Sequence, residues 1–385
     1  MLSKSSKVLN HNELLPTKLR KCTQFFGMPV EQHKNFTEKK IKRHDNFKNI
    51  SLRERLMLFF SNIPVLLRIL QGSLELYNPV YFIMNLFDHC VYLIAYYIIF
   101  RRRHKIVHCI EQLKNVSDNN FQSSNPSKHE LTSILIMISL LFSSTFFLWG
   151  VTYYSKLQIK DVPETTFQIC FQILKLINWT LYCLFICVGI STQITLFAYV
   201  SNLIYENLCL ISTVLNKSVK SSKYAITVLI QQRKMFCNIQ RATSIFDSIF
   251  QEIIFIWILK VTVRCCVAAY EILTIPWTDI NMLGLSIFVF NTIYDISHLI
   301  IIAFYGGRII DGKDIVLQSL IYLSRRSVQN LDDTEKELHF FVTLLGQSHI
   351  GVTASDIFHL TRRTAVTVMA SIFSYYVLIY QLTAK

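Results

Sequence analysis

Seven long apolar stretches constrain the fold of this chain more than any other feature of its sequence. A helix needs about 20 predominantly apolar residues to cross the hydrocarbon core of a bilayer. The stretches occupy residues 56–75, 79–100, 131–153, 166–200, 246–274, 281–305 and 362–382. We therefore predict an all-α polytopic membrane protein with seven transmembrane helices. The fourth stretch is longer than a bilayer requires, so we expect part of it to project into the cytosol as a helix.

The distribution of Lys and Arg predicts the orientation of these helices. Basic residues crowd four segments: the one before the first span, and those after the second, fourth and sixth spans. The alternate connections hold few of them. Because cytoplasmic loops carry an excess of Lys and Arg, we predict a cytosolic N-terminus and an extracellular C-terminus. This orientation is opposite to that of G-protein-coupled receptors, and the last span also lacks their Asn-Pro-x-x-Tyr motif.

Charge and motif content exclude several functional classes. In a soluble protein the net charge of +14 would suggest a nucleic-acid partner, but here the predicted topology accounts for the basic residues. The sequence shows no catalytic constellation, no glycine-rich phosphate loop and no metal-ligand spacing, so we predict neither an enzyme nor a cofactor or metal site. A transporter built from duplicated halves is a weaker alternative, because no internal repeat is visible.

The last apolar stretch carries one narrow polar face. Six residues recur there at alternating spacings of three and four, which places them on one side of a helix: Thr364, Thr367, Ser371, Ser374, Leu378 and Gln381. Lipid offers no hydrogen bonds, so such a face requires water or a partner helix. The pattern alone leaves two interpretations open, a pore-lining surface or a seam of small residues between packed helices.

The C-terminal residues resemble those of insect gustatory receptors. That family ends with Thr-Tyr, five hydrophobic residues and Gln-Phe, and this chain has Ser374-Tyr375, the hydrophobic run 376–380, and Gln381-Leu382. Leu382 departs from the gustatory pattern and resembles the ending of the odorant co-receptor. Residues 354–360 also resemble the gustatory segment that precedes the last helix. The motif-level likeness covers residues 338–382, and an odorant receptor subunit is the main alternative.

This resemblance implies a ligand-gated, non-selective cation channel in the plasma membrane of sensory neurons. It further implies a tetramer, either homomeric or mixed with related receptor subunits, whose last helices line a central pore and whose ligand is a small-molecule tastant. The corresponding regions are a basic cytosolic arm, six spans with an outer-half ligand pocket and cytosolic helical extensions, a cytosolic anchor region and the pore helix. They occupy residues 1–55, 56–305 (with the extensions near 200–245), 306–361 and 362–385.

Three residues near the outer end of the polar face are the candidates for a gate: Leu378, Gln381 and Leu382. A ring of Leu378 side chains in a narrow pore can exclude water, and a ring of Gln381 amides offers donors and acceptors to a hydrated ion. Leu382 is the other constriction that the resemblance implies. Tyr375 lies one position off the polar face, so we expect it to pack or hydrogen-bond against a neighbouring helix.

Spans five and six carry charged residues at membrane depth. Lys260 and Asp295 each lie about eleven residues from the cytosolic end of their span, so a rise of ~1.5 Å per residue places them at similar depth. We predict that they form a buried pair. Arg264 lies one turn further out, at the depth of Asn291, and we expect it to face a polar cavity. The alternative is that the basic side chains extend to a membrane interface.

A pocket for a polar tastant needs aromatic faces and a few directional polar groups. The outer halves of the spans supply Trp149, Tyr153, Gln172, Trp179, Tyr270, Glu271, Trp277, Asp279, Asn281 and Asn291. Aromatic residues near the membrane surface also serve as interfacial anchors, so both interpretations stay open for each of them. The chemistry of this set favours neither sugars nor apolar bitter compounds.

Overall fold

The computed structural model describes residues 79–118, 188–218, 225–274, 282–326 and 332–383. These residues form six helices and one short antiparallel hairpin. The helices are α1 (Pro79–Asp118), α2 (Val188–Ser218), α3 (Ala225–Thr274), α4 (Met282–Arg326), α5 (Asp332–Gln347) and α6 (Arg362–Thr383), and the hairpin pairs β1 (Thr353–Ala354) with β2 (Phe358–His359). The predicted spans 56–75 and 131–153, and the first part of the fourth, lie outside the described residues.

Most of the helices extend well beyond the predicted membrane spans. α1 continues to Asp118, α3 begins at Ala225 and α4 continues to Arg326. Hydropathy marks where lipid contact ends, whereas helical hydrogen bonding continues wherever side chains pack. Buried apolar residues such as Ile110, Phe236 and Val316 line these extensions, so the helix ends differ from the span ends.

Four of the described helices are long and apolar enough to cross a membrane, within residues 189–217, 226–270, 291–325 and 362–382. α1 is not among them, and its apolar half contains Asp88 and His89, which lower its mean hydropathy. The predicted all-α polytopic membrane fold is confirmed. Its orientation stays a prediction.

α2 is the central helix of the described bundle. Its apolar window is 72 % buried, and Phe197 forms a three-ring cluster with Phe246 and Phe250 of α3, at centroid distances of 5.4 and 5.5 Å. α2 and α4 run parallel, since Ser191 contacts Tyr294 near one end and Ser212 contacts Ser319 near the other. α1 and α3 run antiparallel. α2 is therefore the buried helix against which α1, α3 and α4 all pack.

The hairpin fixes the segment that precedes α6. Three residues, 355–357, connect the two strands. Ser355 and Asp356 have left-handed φ values of 50° and 58°, and Ile357 N donates to Ala354 O across the turn. Asp247 of α3 accepts the backbone N–H of Thr353 at 2.7 Å, and Ser355 N donates to Gln251 O at 3.1 Å. The chain entering α6 is thus hydrogen-bonded to α3.

The first turn of α6 is capped by its own side chains. Thr361 Oγ1 accepts the N–H of Thr364 at 3.3 Å, and Thr364 Oγ1 accepts the N–H of Thr361 at 3.0 Å. This reciprocal arrangement satisfies donors that a helix start leaves unpaired. The base of α6 also packs closely on α4, because a Cβ on Gly306 would overlap the buried side chain of Leu360 and one on Gly307 would meet the backbone N of Arg362 at 3.1 Å.

The close approach of α4 to Leu360 predicts that Gly306→Ala destabilises the protein. Overpacking of a filled site costs about 1–3 kcal/mol, so we expect a lower midpoint in thermal unfolding of the detergent-solubilised protein, followed by size-exclusion chromatography. Gly346→Ala is the matched control, because a Cβ at Gly346 would meet nothing within 4 Å. Equal midpoints for the two variants would contradict the packing argument.

Candidate functional site

α6 exposes its polar face and buries a different one. Ile372 and Ile379 are 6 % and 8 % exposed, and together with partly buried residues such as Val368 and Tyr376 they pack against α3 and α4. The predicted stripe residues Thr367, Ser371, Ser374, Leu378 and Gln381 are exposed. Only 11 % of the apolar window of α6 is buried. Within one subunit, therefore, the stripe is not a seam with any described helix.

The hydroxyl groups of the stripe direct their acceptor lone pairs outward. Thr367, Ser371 and Ser374 each donate to the backbone carbonyl four residues earlier, at 3.0, 3.0 and 2.9 Å. A hydroxyl has one donor and two acceptor sites, so these groups keep only acceptors for whatever lies outside the helix. Thr364 differs, since its hydroxyl belongs to the helix cap and its side chain is half-buried.

A second exposed face of α6 is apolar. Val366, Phe373, Val377 and Tyr380 are 70 %, 69 %, 41 % and 61 % exposed, and they lie between the packed face and the polar stripe. Leu378 and Leu382 are also uncovered, and Tyr375 is exposed beside them. The helix consequently has three faces with different surroundings, and only one of them packs against the other described helices.

Four charged side chains meet inside the bundle. Lys260 Nζ lies 2.8 Å from Asp295 Oδ1, and Arg264 Nε lies 3.2 Å from the other oxygen of Asp295. Arg264 Nη1 continues the network to Asp88 Oδ2 of α1 at 2.9 Å. Asp88, Lys260 and Asp295 are almost wholly buried. Two cations and two anions thus neutralise one another and connect α1, α3 and α4.

The structure brings together Lys260 and Asp295, as the sequence predicted, and adds a partner that the prediction missed. We expected Arg264 to face a polar cavity, whereas it bridges two carboxylates. The missed signal was Asp88, an acidic residue inside the second apolar stretch. Unpaired charge is rare at membrane depth. Comparing the depth of Asp88 in the second span with the depths of the charged residues in spans five and six would therefore have found this partner.

Other polar groups are buried on α2 and on the part of α4 that holds Asp295. Ser191 Oγ lies 2.8 Å from Tyr294 Oη and 3.5 Å from His298 Nε2. Gln193 is 0 % exposed, and among the described residues neither atom of its amide has a hydrogen-bond partner. The indole N–H of the buried Trp257 is likewise without an acceptor there. A buried amide without partners is costly, so water or a ligand is the expected occupant beside Gln193.

Most of the predicted pocket residues fall outside the described part of the chain. These are Trp149, Tyr153, Gln172, Trp179, Trp277, Asp279 and Asn281. Glu271 belongs to the last turn of α3, Tyr270 is 51 % exposed and Asn291 is half-buried near the start of α4. The described ranges contain no cluster of three His, Cys, Asp or Glu residues that could hold a metal ion.

Comparison with known proteins identifies the family and the fold. Residues 74–383 match the family model described as 7tm Chemosensory receptor. The olfactory receptor OR5 from Machilis hrabei, solved in complex with eugenol, has a TM-score of 0.70 at 10 % identity, over 95 % of this chain and 98 % of that one. A second structure of OR5 gives 0.73 at 11 % identity, over 95 % and 97 %. No curated protein sequence matches the chain significantly.

The charge network predicts that the stability of the protein depends strongly on the pairing of Lys260 with Asp295. Asp295→Asn leaves Lys260 buried without its carboxylate, which costs about 3–5 kcal/mol, so we expect lower surface expression and a lower unfolding midpoint. The double variant Lys260→Met with Asp295→Leu should recover part of the loss, because Arg264 keeps Asp88 as its partner.

The ion pair between Arg362 and Asp311 provides the control. Its side chains are 60 % and 43 % exposed, and exposed pairs contribute about 0–1 kcal/mol. Asp311→Asn should therefore change stability little. If the double variant is as unstable as the sum of its single variants, Lys260 and Asp295 are not energetically coupled.

Proposed function

We propose, from the premise that this chain belongs to the 7tm chemosensory receptor family of insects, that it is a gustatory-type receptor acting as a ligand-gated, non-selective cation channel. The gustatory assignment rests on Ser374-Tyr375 and Gln381 in their family register. The channel assignment rests on the uncovered polar face of α6. Four subunits would surround a central pore with this face turned inward, and the receptor would lie in the plasma membrane of sensory neurons.

The uncovered polar face is the observation that carries the proposal. Hydrocarbon cannot hydrogen-bond to the stripe, so water or another chain must cover it in the assembled protein. The back-bonded hydroxyls of Thr367, Ser371 and Ser374 offer acceptors only. Acceptors stabilise cations and the hydrogens of hydration water, which is the requirement for a cation pathway.

The residues at the outer end of this face suit a gate. Leu378 and Leu382 are 52 % and 68 % exposed, so a symmetric assembly would place their side chains close to the axis. Apolar rings close narrow pores by excluding water. Gln381 lies between them in sequence, and its amide would offer polar contacts to an ion that passes once the apolar ring has widened.

Other exposed apolar surfaces support an oligomer. Phe373 and Tyr380 of α6 are 69 % and 61 % exposed, and Tyr322 of α4 and Phe340 of α5 are 50 % and 51 % exposed. The last two lie in the predicted cytosolic anchor region, where lipid is absent. We infer that neighbouring subunits, homomeric or mixed, cover them there.

The ligand pocket would have its inner boundary at Gln193. Ser191, two residues from it along α2, already contacts Tyr294 and His298 of α4, and Gln193 offers a donor and an acceptor that no described residue uses. These groups favour a small tastant that bears hydroxyl or amide functions, because such a molecule satisfies the buried amide and gains directional contacts.

An odorant receptor subunit is the second candidate function. Leu382 matches the odorant co-receptor ending rather than the gustatory one, and the fold is also that of an olfactory receptor. Expression of the chain alone, with a panel of sugars, alkaloids and volatile compounds, separates the two. Currents evoked by soluble tastants support the gustatory assignment, whereas responses confined to volatile compounds, or to co-expression with a co-receptor, support the alternative.

The pocket assignment predicts that Gln193→Leu reduces sensitivity to an activating polar compound at least about tenfold, the loss expected when a buried hydrogen bond to ligand is removed. Concentration–response curves in expressing cells measure it. The same substitution at Gln232, also buried but in the inner part of α3, is the matched control. Surface expression of Gln193→Leu should not fall, because no described residue hydrogen-bonds to the native amide. Equal sensitivity in both variants would remove Gln193 from the pocket.

The pore assignment predicts different effects for adjacent residues of α6. Leu378→Ser should hydrate the closed pore and raise the basal current, whereas Val377→Ser, at similar exposure but on the apolar face, should not. Gln381→Lys should reduce cation permeation through fixed positive charge, and Tyr380→Lys is its control. Whole-cell currents and reversal potentials test both pairs. If the on-face and off-face substitutions act alike on leak and permeability, α6 does not line the pore.

A further inference from the structure

A cleft lies between the ends of α1 and α3 that are farthest from the charge network. It has a volume of about 360 Å³. Two sets of side chains line it, three from α1 and five from α3: Gln112, Asn115 and Val116, then Gln231, Lys234, Met235, Asn238 and Arg241. None of these residues belongs to the stripe, the network or the proposed ligand pocket. The cleft therefore requires an explanation of its own.

The polar lining of the cleft consists of cations and amides. Lys234, Asn238 and Arg241 are spaced four and three residues apart, so they share one face of α3, and Asn115 faces the cleft from α1. Within the described part of the chain, neither Lys234 nor Arg241 has a carboxylate partner. No lining residue is acidic. Lys, Arg and amide groups together supply many N–H donors, and that composition selects an anion.

The lining and volume of the cleft favour a small organic or polyatomic anion over a bare ion. Met235 is buried and Val116 is half-buried, so the cleft has apolar groups as well as donors. Its volume lies at the lower end of the range for sites that hold small organic ligands. Phosphate oxygens match Arg and Lys donors well, since charge-assisted hydrogen bonds of this kind are the strong ones.

The distance of the cleft from the bilayer distinguishes between two possible occupants, a soluble anion and a lipid headgroup. The run Arg101, Arg102 and Arg103 ends the apolar half of α1. Asn115 lies twelve residues beyond Arg103, or ~18 Å along the helix at 1.5 Å per residue. The headgroup region extends only about 5–8 Å beyond the hydrocarbon core on each side. The cleft is thus too far from the bilayer to reach a phospholipid headgroup.

We propose that this cleft binds a small, soluble, phosphate-bearing anion on the cytosolic side of the receptor. The anion contacts Lys234 and Arg241 from α3 and the amide of Asn115 from α1. It thereby joins the inner ends of the two helices that Asp88 and Arg264 join further out. Binding stabilises the folded receptor in proportion to occupancy.

Inorganic pyrophosphate is the probe for the test, with full-length receptor purified in detergent. Binding is measured by calorimetry and by the shift in unfolding midpoint. We expect saturable binding, weakened about tenfold by Lys234→Gln or by Arg241→Gln, and abolished by the double variant, as the loss of charge-assisted hydrogen bonds requires. The control double variant, Lys105→Gln with Arg325→Gln, removes the same charge from exposed positions outside the cleft and should bind normally.

Three outcomes would overturn the proposal. One is the absence of saturable pyrophosphate binding at millimolar concentration, and another is an equal loss of binding in the control variant, which would indicate non-specific attraction. The third is competition by phosphatidylinositol bisphosphate in nanodiscs that depends on Lys234 and Arg241, because a lipid would then be the occupant. The assay measures no current, so its result is independent of the channel assignment.

Discussion

The inability of hydrocarbon to accept or donate hydrogen bonds governs how this chain places its polar groups. Lys260, Arg264, Asp88 and Asp295 lie at membrane depth only because they neutralise one another in a single network. The hydroxyls of α6 follow the same rule in another way, since each donor is bound to its own helix backbone. The stripe acceptors and the amide of Gln193 remain after these pairings. They are the places where the fold requires something that the described part of the chain does not supply.

The attachment of α6 is uneven along its length. Its base is held by the Thr361 cap, by the contact of Gly306 with Leu360 and by the hairpin that Asp247 binds. Further along, only Ile372 and Ile379 are buried. A helix fixed at one end and loosely covered elsewhere can change its tilt with little loss of packing. Under the proposed function, the end that carries Leu378 and Gln381 is the end with the fewest restraints, which suits the position of a gate.

Sequence periodicity predicted the polar face of α6 well, because a helix maps spacing directly onto direction. The shared depth of Lys260 and Asp295 followed from the same regularity. Three other features could not be predicted from the sequence, and each failure has a physical reason. Helix ends in water are set by packing rather than by hydropathy, so the extension of α1 to Asp118 was missed. The turn at Ser355 and Asp356 has no glycine to mark its positive φ angles. The cleft beside Lys234 depends on which helices meet, and helix partners are not encoded in the period of any one helix.

α3 carries part of the charge network and also packs against the proposed pore helix. Lys260 and Arg264 are the residues that α3 contributes to the network, and α6 packs on both α3 and α4. Tyr376 packs against the core from the same face of α6 that carries Ile372 and Ile379. A shift of α3 therefore acts on both the network and the pore helix. Because packed interfaces have discrete arrangements rather than continuous ones, a ligand beside Gln193 needs to change only the relative positions of α2, α3 and α4 to alter the surface on which α6 rests.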